Sequence, residues 1–433
     1  MPDAAWSVPM LHPGQAVTAE VQVPGSKSLT NRALILAALA DGPSMLEGVL
    51  WSDDSQICVH ALQRLGVPVE VDPERLQVQV QGLGGGPQVA EADVFVGLAG
   101  TAARFLAAYC AIGHGRYHLD GVPRMRQRPM GALHAALVSQ GVQIDGGPNL
   151  PFTVHGAGRL AGGEIEIAGS ETSQPASGLL MVAPFARHTL QVHVRSARQS
   201  LPFVAMTAAV MEAFGVASRQ PAPDAWEVQS GAHYRGCHYS VEPDASAAAY
   251  FWALAAVTGG RIRTPGIGRS RLQGDAALLD LLQDMGCQVS DAGGATVQGP
   301  PAGLLRAGTW DMSAMADQAL TVGVLGLFAD GPCRVRNVGH IRDQETDRIH
   351  AAVTELRRVG ARCEEHADGF AVWPAPPAPG VPVDIETYGD HRVAMSFALA
   401  GTRLPVRILN PGVVTKTFPD FRAVFTAALG AEA

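Results

Sequence analysis

The pattern of hydrophobic positions in this chain repeats six times. A run rich in alanine and leucine, opened by small or polar residues, recurs at Ser28–Gly42, Thr101–Gly113, Gln174–Arg187, Ala245–Gly259, Gln318–Gly331 and His391–Gly401. Runs of this length and composition predict helices. A second, amphipathic segment follows each run, and these segments end at Gly66, Gly141, Gly215, Gly286, Gly360 and Gly430. Glycine at these places predicts that six further helices end in a left-handed residue.

Capping residues and strand signals recur in the same phase. Three aspartates stand just before the last three apolar runs, where they can accept hydrogen bonds from free backbone N–H groups: Asp244, Asp317 and Asp390. Short stretches of alternating polarity follow most of the glycines and predict strands, as at Val67–Val71, Val142–Ile144 and Gln288–Val289. Each repeat of about 72 residues is therefore a small β/α module that cannot bury its helices alone.

Six modules predict two domains of three modules each. We place the first domain at residues 21–241 and the second at residues 1–20 plus 242–433, with the linker near Ser240–Pro243. The opening residues, up to about Glu20, precede the first full module, and we expect them to complete the sheet of the last one. A cleft between domains is a preferred place for a ligand, so we expect the functional site there.

Composition narrows the class of protein. The chain has 433 residues, of which 47% are hydrophobic and 17% are charged, and this predicts a globular protein with more than one core. No run approaches the about 20 apolar residues of a membrane helix. Met1–Gln15 has no basic region before a long apolar stretch, so we predict no secretory signal. The six cysteines are scattered without a C-x-x-C pair, which argues against a zinc site and a disulfide framework and favours a cytoplasmic location.

The charge of the chain favours local binding of anions. A net charge of −8 gives no overall basic field of the kind that nucleic-acid binding needs. The chain has two lysines, Lys27 and Lys416, beside thirty arginines, so these two mark places where a compact ammonium group has a use. The order Gly25-Ser-Lys-Ser28 lacks the long glycine loop of an ATP-binding P-loop, and no sequence signature of a metal site is present.

Polar and charged residues gather at the starts of the repeats. Pro24–Arg32 places a glycine, two serines, Lys27 and Arg32 at the start of an apolar helix, where free N–H groups and the helix dipole favour an anion. Leu98–Arg104 and Glu171–Gln174 repeat this construction. Arginines in the loops between the paired helices have the planar geometry that suits phosphate and carboxylate. This recurrence indicates a ligand with several anionic groups.

Seven short segments together resemble the signature of the 5-enolpyruvylshikimate-3-phosphate synthase family, in the same order. They are Pro24–Ser28 with Asn31 and Arg32, Ala99–Thr101 with Arg104, Arg126–Pro129, Ser173–Gln174, Glu345–Arg348, Asp390–Arg392 and Lys416–Pro419. The resemblance implies an α/β (α+β) enolpyruvyl-transferase fold of six βαβαββ units, three per domain, around an interdomain cleft. It also implies transfer of the enolpyruvyl group of phosphoenolpyruvate to the 5-hydroxyl of shikimate 3-phosphate, with release of phosphate, in the pathway to chorismate and the aromatic amino acids.

The resemblance also implies roles for individual residues. Asp317 would be the base near the 5-hydroxyl, Glu345 the acid and base at C3 of phosphoenolpyruvate, and Lys27 would assist the departing phosphate. Shikimate 3-phosphate would be bound by Lys27, Ser28, Arg32, Thr172, Ser173, Gln174, Ser200, Asp317 and Gln344. Phosphoenolpyruvate would be bound by Lys27, Gly100, Arg128, Gln174, Arg348, Arg392 and Lys416. These two small molecules are the predicted partners of a monomer that needs no metal or organic cofactor and binds neither nucleic acid nor membrane.

Four positions depart from the pattern of the family. Gln344 stands where most members have lysine, Leu98 and His340 stand where asparagine is expected, and Phe203 stands where tyrosine is common. Some members share a leucine at the place of Leu98 and a residue other than lysine at the place of Gln344, so the departures indicate a subgroup and not an inactive enzyme. We expect Arg342 to replace part of the charge that Gln344 lacks.

Three other functions stay open at this stage. The related transferase that uses UDP-N-acetylglucosamine shares the fold and the donor, but its expected loop cysteine is absent from Gly121–Pro129, and its Lys-Asn pair is here Lys27 followed by serine. A non-catalytic binding protein of the same fold is favoured by Gln344 and disfavoured by the presence of Asp317, Glu345 and Lys27. An RNA-end-processing enzyme of related repeat fold would need a catalytic histidine, ATP and a basic RNA track, none of which is identified in the sequence.

Overall fold

The structure is a computed structural model, and it describes residues 4–168, 173–195, 201–301, 304–375 and 380–431. The chain divides into two compact units. The first, here called the N-terminal unit, is Gly25–Glu242, and the second, here called the C-terminal unit, joins Met1–Pro24 to Pro243–Ala433. The described residues of each unit form three small sheets.

The elements are short and follow one another closely. The strands up to the end of the N-terminal unit are β1 (Trp6–Ser7), β2 (Thr18–Glu20), β3 (Asp41–Glu47), β4 (Val69–Asp72), β5 (Gln77–Leu83), β6 (Glu91–Phe95), β7 (Arg116–Asp120), β8 (Gln143–Gly146), β9 (Phe152–His155), β10 (Gly163–Ala168), β11 (Leu190–Arg195), β12 (Arg219–Ala222), β13 (Ala225–Val228) and β14 (His238–Ser240). The later strands are β15 (Arg261–Pro265), β16 (Gln288–Ser290), β17 (Gly294–Gln298), β18 (Thr309–Asp311), β19 (Cys333–Arg336), β20 (Cys363–His366), β21 (Gly369–Val372), β22 (Val383–Ile385) and β23 (Val406–Ile408).

Two α-helices belong to most modules, with short 3-10 turns between elements. The α-helices are α1 (Lys27–Leu39), α2 (Asp53–Arg64), α3 (Gly100–Ala111), α4 (Pro123–Gln127), α5 (Gly131–Ser139), α6 (Gln174–Val182), α7 (Leu201–Ala213), α8 (Ala245–Thr258), α9 (Leu278–Asp284), α10 (Ala319–Leu325), α11 (Arg348–Arg358), α12 (His391–Gly401) and α13 (Phe421–Ala428). The 3-10 helices are Ala183–Phe185, Gly274–Ala277, Ser313–Gln318, Gly326–Phe328, Gly339–Asp343 and Pro411–Lys416.

Three modules show the repeat without interruption. In the first of them β6 pairs in parallel with β7, β7 pairs antiparallel with β9, and β8 pairs with β9, which gives the strand order β6-β7-β9-β8. The orders β10-β11-β13-β12 and β18-β19-β21-β20 repeat it. A parallel pair needs a crossover between its strands, and helix α3 supplies it between β6 and β7. The predicted fold class and its βαβαββ unit are therefore confirmed.

The other three sheets take a strand from a distant part of the chain. β14, at the end of the N-terminal unit, pairs in parallel with β3. In the C-terminal unit, β2 pairs in parallel with β15, and β1 pairs antiparallel with β23. The sequence predicts that the opening residues complete the sheet of the last module. β1 confirms this prediction, whereas β2 completes the sheet of the fourth module instead.

The first helix of each module is almost wholly buried, as an all-round apolar sequence requires. Helices α10 and α12 are buried over their whole length. In α1, α3, α6 and α8 every residue is buried except in the first turn. The exceptions are Lys27, Ser28, Thr101, Gln174 and Ser246. These four helices therefore reach the surface of the chain only at their first turns, where the sequence predicts binding residues.

The second helix of each module ends as its glycine predicts. One residue separates each of α2, α5, α7, α9, α11 and α13 from a glycine with φ between 72° and 101°. These residues are Gly66, Gly141, Gly215, Gly286, Gly360 and Gly430. A left-handed residue is free of steric strain only when it is glycine, so the local sequence determines where all six helices end.

Two of the three predicted aspartate caps are confirmed. Asp244 accepts a hydrogen bond of 3.1 Å from the backbone of α8, and Asp390 accepts one of 2.9 Å from the backbone of α12. The prediction for Asp317 is wrong, because Gln318 stands at the N-cap of α10 and Asp317 lies inside the preceding 3-10 helix. Its carboxylate instead accepts from two arginines, so charged donors engage both of its oxygens.

Aromatic rings fill the core of the C-terminal unit beside α8 and α13. Trp6 meets Phe421 and Phe425 edge to face, with ring centroids 6.2 and 5.9 Å apart. Tyr250 of α8 packs edge-on against Phe421 at 5.8 Å. These contacts fix the ring of Tyr250, whose hydroxyl hydrogen-bonds a residue of the candidate site, Arg392.

Two kinds of feature are not found among the described residues. No helix there is long and apolar enough to cross a membrane. No group of three or more histidine, cysteine, aspartate or glutamate side chains there is placed to hold a metal ion. All six cysteines are free thiols, and Cys237 is the one that is not fully buried.

Candidate functional site

Three carboxylates surround the buried Arg348, the first residue of α11 in the C-terminal unit. Its guanidinium donates from Nη1 to Oδ1 of Asp317 (2.9 Å), from Nη2 to Oε2 of Glu345 (2.9 Å) and from Nε to Oδ2 of Asp390 (2.7 Å). Asp347 caps the helix at this point through the backbone N–H three residues on. The start of the helix therefore fixes the guanidinium, whose rigid fork of donors holds three carboxylates together.

Arg392 and Lys416 complete this group. Arg392, buried in the first turn of α12, donates from Nη2 to Oδ2 of Asp317 (2.5 Å) and from Nη1 to Oη of Tyr250 (3.4 Å). Nζ of Lys416 donates to Oε1 of Glu345. Asp317 and Glu345 thus each have both carboxylate oxygens hydrogen-bonded to cations. We call the group the charge cluster, and its members are Asp317, Glu345, Arg348, Asp390, Arg392 and Lys416.

Burial and neighbouring charge act on this cluster in opposite directions. Burial disfavours the charged forms of Arg348 and Arg392, but the carboxylates beside them outweigh it and raise the pKa of both groups. Asp275 lies nearby, with Oδ2 accepting from a serine hydroxyl and a glutamine amide. Burial, and after it the charge of Asp317, raises the pKa of Asp275 to about 6. The charged Arg392 therefore acts on a carboxyl group whose pKa is raised by burial and by Asp317.

Lys27 occupies the partly exposed first turn of α1 in the N-terminal unit. Its Nζ lies 3.6 Å from Oδ2 of Asp54, a buried residue in the first turn of α2. This separation makes an ion pair that is longer than a hydrogen bond. Ser26 stands at the N-cap of α1 without capping it through its side chain. An ammonium group beside a helix start of this kind favours an anion.

Gly100 is the first residue of α3, and the guanidinium of Arg128 lies directly against it. A Cβ added to Gly100 would come within 2.6 Å of Nη1 of Arg128, which is too close for any side chain. Nη1 also donates to the backbone oxygen of Leu98 (3.2 Å). Because that contact uses the backbone, the leucine that replaces an expected asparagine at position 98 leaves it intact. Glycine at position 100 is thus what lets Arg128 approach the helix start.

Gln174 belongs to a second hydrogen-bonded group of the N-terminal unit. Its Oε1 accepts from Nη1 of Arg104 (2.8 Å), and its Nε2 donates to Oγ1 of Thr101 (3.1 Å). Arg104 also donates to the backbone oxygens of Gly100 (3.0 Å) and Pro129. Arg104 therefore joins the start of α3 to the start of α6 and orients the amide of Gln174.

Arg32 lies in the interior of the N-terminal unit, where it is 1% exposed. Nε donates to Oγ1 of Thr207 (2.7 Å), Nη1 to the backbone oxygen of Ser28 (2.9 Å), and Nη2 to Oγ of Ser177 (3.2 Å) and the backbone oxygen of Phe203 (3.1 Å). Burial lowers the pKa of Arg32 to about 9. The guanidinium of Arg32 is thus surrounded by acceptors from the protein itself.

The remaining predicted site residues fall into two sets. Thr172 and Ser200 lie outside the described residues. Ser173 is buried at the N-cap of α6, and Gln344 follows the 3-10 helix Gly339–Asp343.

The expectation that Arg342 replaces the charge missing at position 344 does not fit the structure. Arg342 donates to Asp347 at 2.7 and 3.0 Å, to Glu365 at 2.9 Å and to two backbone oxygens, so its guanidinium is engaged elsewhere.

The sequence analysis assigns no site role to four residues that the structure places in or beside these groups. Asp54 and Asp275 begin or precede amphipathic helices, so the sequence offers them as caps and hides their tertiary partners. Tyr250 is one ring in an apolar helix. Arg104 belongs to the segment Ala99–Thr101 with Arg104 that carries part of the family resemblance. Its spacing of three residues from Thr101 is the signal in the sequence for a shared helix face.

The chain has close relatives among known proteins. A family model described as EPSP synthase (3-phosphoshikimate 1-carboxyvinyltransferase) matches residues 11–425. The 3-phosphoshikimate 1-carboxyvinyltransferase of Trichormus variabilis is 44% identical, over 98% of this chain and 99% of that protein. The chloroplastic 3-phosphoshikimate 1-carboxyvinyltransferase of Solanum lycopersicum is 42% identical, over 95% of this chain and 82% of that protein.

Solved structures agree with the fold. EPSP synthase from Acinetobacter baumannii superposes with a TM-score of 0.80 at 23% identity, over 98% of this chain and 97% of that chain. The enolpyruvyl transferase NikO from Streptomyces tendae superposes with a TM-score of 0.76 at 19% identity, over 98% and 97%. The resemblance carried by the seven short segments is thus confirmed over nearly the whole length: the chain belongs to the EPSP synthase (3-phosphoshikimate 1-carboxyvinyltransferase) family.

Proposed function

We propose that the chain transfers the enolpyruvyl group of phosphoenolpyruvate to the 5-hydroxyl of shikimate 3-phosphate and releases phosphate. This is the transferase step of the shikimate pathway to the aromatic amino acids. The charge cluster is the observation that carries the proposal, because two of its three carboxylates, Asp317 and Glu345, have both oxygens hydrogen-bonded to its cations. Both substrates carry phosphate and carboxylate groups, and the reaction needs proton transfer beside them, which is what such a cluster supplies.

The reaction is an addition followed by an elimination. The oxygen of the 5-hydroxyl bonds to C2 of phosphoenolpyruvate while C3 gains a proton. The C2–O bond to phosphate then breaks and C3 loses a proton, which restores the double bond. We assign removal of the hydroxyl proton to Asp317, both proton transfers at C3 to Glu345, and charge neutralisation at the departing phosphate to Lys27. The carboxylate oxygens of Asp317 and Glu345 are fixed by hydrogen bonds, which supports this assignment because proton transfer requires a fixed geometry.

Recognition of phosphoenolpyruvate falls to cations and to one close backbone approach. We assign it to Lys27, Gly100, Arg128, Gln174, Arg348, Arg392 and Lys416. The guanidinium of Arg128 against Gly100 and the ordered amide of Gln174 support the part in the N-terminal unit. In the C-terminal unit, the permanently charged Arg348 and Arg392 support it.

Recognition of shikimate 3-phosphate falls mainly to hydroxyl and amide groups. We assign it to Lys27, Ser28, Arg32, Thr172, Ser173, Gln174, Ser200, Asp317 and Gln344. The partly exposed first turns of α1 and α6 support the places of Ser28 and Gln174. Arg32 contacts the same turn through the backbone oxygen of Ser28. A role for Arg32 on the substrate therefore requires that one of its present acceptors be exchanged for the ligand.

Release of phosphate from phosphoenolpyruvate tests the proposed function. The purified chain is offered shikimate 3-phosphate or UDP-N-acetylglucosamine as acceptor, in the presence of a chelator and without added nucleotide. We expect release with shikimate 3-phosphate alone. Release only with UDP-N-acetylglucosamine would assign the chain to the related transferase, and no release from a folded sample with either acceptor would support the non-catalytic binding protein.

We further propose that the enzyme is a cytoplasmic monomer. The scattered free thiols support a reducing compartment. Sedimentation across a tenfold range of concentration tests the oligomeric state, and a constant mass of about 45 kDa is the expected result. A mass that doubles with concentration would show self-association.

A further inference from the structure

Glu355 is a buried carboxylate that the proposed reaction does not use. It lies on α11, two turns after Arg348, and none of its surface is exposed. Its Oε1 accepts a hydrogen bond of 2.7 Å from Oη of Tyr388, and its Oε2 accepts one of 3.3 Å from the backbone N–H of Glu386. Burying a charged group is unfavourable unless it is hydrogen-bonded, so the presence of a buried carboxylate at position 355 needs a structural explanation.

Tyr388, which donates to Glu355, lies in the loop between β22 and α12, and this loop has an unusual backbone. Tyr388 has φ 54° and Gly389 has φ 70°, so two successive residues are left-handed. For tyrosine this conformation is strained, and it persists only where the surroundings hold it. The hydroxyl bond to Glu355 holds the side chain, and the backbone N–H of Tyr388 donates to Oε1 of Glu386 at 3.2 Å. The loop is therefore kept in a shape that it would not adopt freely.

This loop leads directly into the charge cluster. Asp390 follows Gly389, and its backbone N–H donates to the backbone oxygen of Thr387 at 2.8 Å. Its carboxylate accepts a hydrogen bond from Nε of Arg348, and Arg392 lies two residues further on, in the first turn of α12. Side chains of α11 thus hydrogen-bond to this loop at Asp390 through Arg348, and at Glu386 and Tyr388 through Glu355.

We propose that Tyr388 and Glu355 are positioning residues for the donor substrate, because together they set where Asp390 and Arg392 lie. This inference rests on the proposed function, in which Arg392 binds phosphoenolpyruvate. A carboxylate is a stronger acceptor than a neutral amide, which explains why a charge is buried at this place. Arg358, whose Nε lies 3.5 Å from Oε2 of Glu355, offsets part of the cost of burying that charge.

The test compares three single substitutions in the whole chain. Tyr388→Phe removes only the hydroxyl, and Glu355→Gln keeps an oxygen that can accept from Tyr388. Tyr234→Phe is the matched control, because Tyr234 is a buried tyrosine whose hydroxyl donates to the backbone oxygen of Met181 at 2.9 Å in the other unit. We expect Tyr388→Phe to raise the KM for phosphoenolpyruvate about five- to tenfold, the factor that corresponds to one lost hydrogen bond.

The KM values for the two substrates distinguish a positioning role from a general loss of structure. We expect the KM for shikimate 3-phosphate to change less than about twofold in Tyr388→Phe, and Glu355→Gln to keep part of the wild-type affinity for phosphoenolpyruvate. Tyr234→Phe, with a similar loss of stability, should leave both constants unchanged. Equal changes in both KM values, or a KM for phosphoenolpyruvate that stays at the wild-type value in Tyr388→Phe, would overturn the inference.

Amide hydrogen exchange makes the result independent of turnover. We expect faster exchange in residues 386–392 of Tyr388→Phe than in wild type, and no such change there in Tyr234→Phe. If the wild type releases no phosphate, the proposed function fails while the exchange result still tests whether the loop is held. Unchanged exchange at 386–392 in Tyr388→Phe would show that the hydroxyl does not hold the loop.

Discussion

The two units surround their buried arginines with different partners. In the C-terminal unit, Arg348 and Arg392 donate to carboxylates, which raise the pKa of both groups against the effect of burial. In the N-terminal unit, Arg32 donates to hydroxyls and backbone oxygens, and burial lowers its pKa. The first arrangement fixes the carboxylates to which we assign proton transfer, whereas the second surrounds a positive charge with neutral acceptors.

The helix starts differ in the same sense. In the C-terminal unit Asp244 and Asp390 cap α8 and α12 with carboxylates. In the N-terminal unit the N-cap residues of α1, α3 and α6 make no side-chain cap bond. Helix starts without acidic caps keep their positive potential for an anionic ligand. These uncapped helix starts favour anion binding in the N-terminal unit, in addition to the cations of the C-terminal unit that we propose as ligands of phosphoenolpyruvate.

Glu345→Gln is expected to have the largest effect. The amide keeps the shape of the side chain but cannot exchange protons at C3, so kcat should fall about 10²- to 10⁴-fold, as loss of a general acid–base group does. Steady-state phosphate release measures it. Glu365→Gln, the same change at an exposed residue of β20, should leave kcat near the wild-type value. Wild-type turnover in Glu345→Gln would remove this residue from the mechanism.

Asp390→Asn and Thr207→Val compare the two kinds of arginine partner by stability. Asparagine still caps α12, but it leaves Arg348 with one carboxylate fewer, which should cost about 3 to 5 kcal/mol. Valine leaves Nε of Arg32 without its hydroxyl acceptor, which should cost about 1 to 3 kcal/mol. Urea unfolding of each variant measures the two costs. An equal cost for both would contradict the idea that the partners of these arginines differ in kind.

Asp275→Asn should make stability depend less on pH. Because the folded protein raises the pKa of Asp275 from 3.8 to about 6, the folded state binds more protons than the unfolded state between these values. The contribution of Asp275 to the stability of the folded state is therefore full below pH 3.8 and is lost as the pH rises through about 6.

The free energy of unfolding of Asp275→Asn, relative to that of wild type, should accordingly rise by on the order of 2 to 3 kcal/mol between about pH 4 and pH 7. Unfolding curves at several pH values measure this difference. Asp280→Asn, at an exposed residue of α9, is the control and should show no such trend. A difference between Asp275→Asn and wild type that is constant with pH would exclude an ionising Asp275.

Gly100→Ala is expected to have a smaller effect on turnover than Glu345→Gln, because it acts through the place of Arg128. The new Cβ would displace the guanidinium of Arg128, so the KM for phosphoenolpyruvate should rise at least about tenfold while the chain stays folded. Gly131→Ala is the matched control, since Gly131 also begins a helix and its added Cβ would meet its nearest neighbour at 3.8 Å. A normal KM in Gly100→Ala would show that Arg128 does not need its place against α3.

Local features of the fold were predictable and the partners of side chains were not. The six glycines ended six helices as predicted, because a left-handed residue is a local requirement. The motif at the start of α1 suggested one role for Lys27 and Arg32. Five residues turn a helix by about 500°, so the two side chains point about 140° apart. Lys27 reaches the surface, whereas Arg32 enters the core, and no local pattern reveals which acceptors meet it there.

The reaction carried out in deuterated water tests the central claim most directly. If addition to C2 is coupled to proton gain at C3, and elimination to proton loss, a solvent deuteron enters the methylene group during turnover. Mass spectrometry of the product formed from phosphoenolpyruvate and shikimate 3-phosphate should therefore find the enolpyruvyl ether with deuterium on C3 in part of the molecules. Phosphate release without this ether, or an ether free of deuterium, would contradict the account.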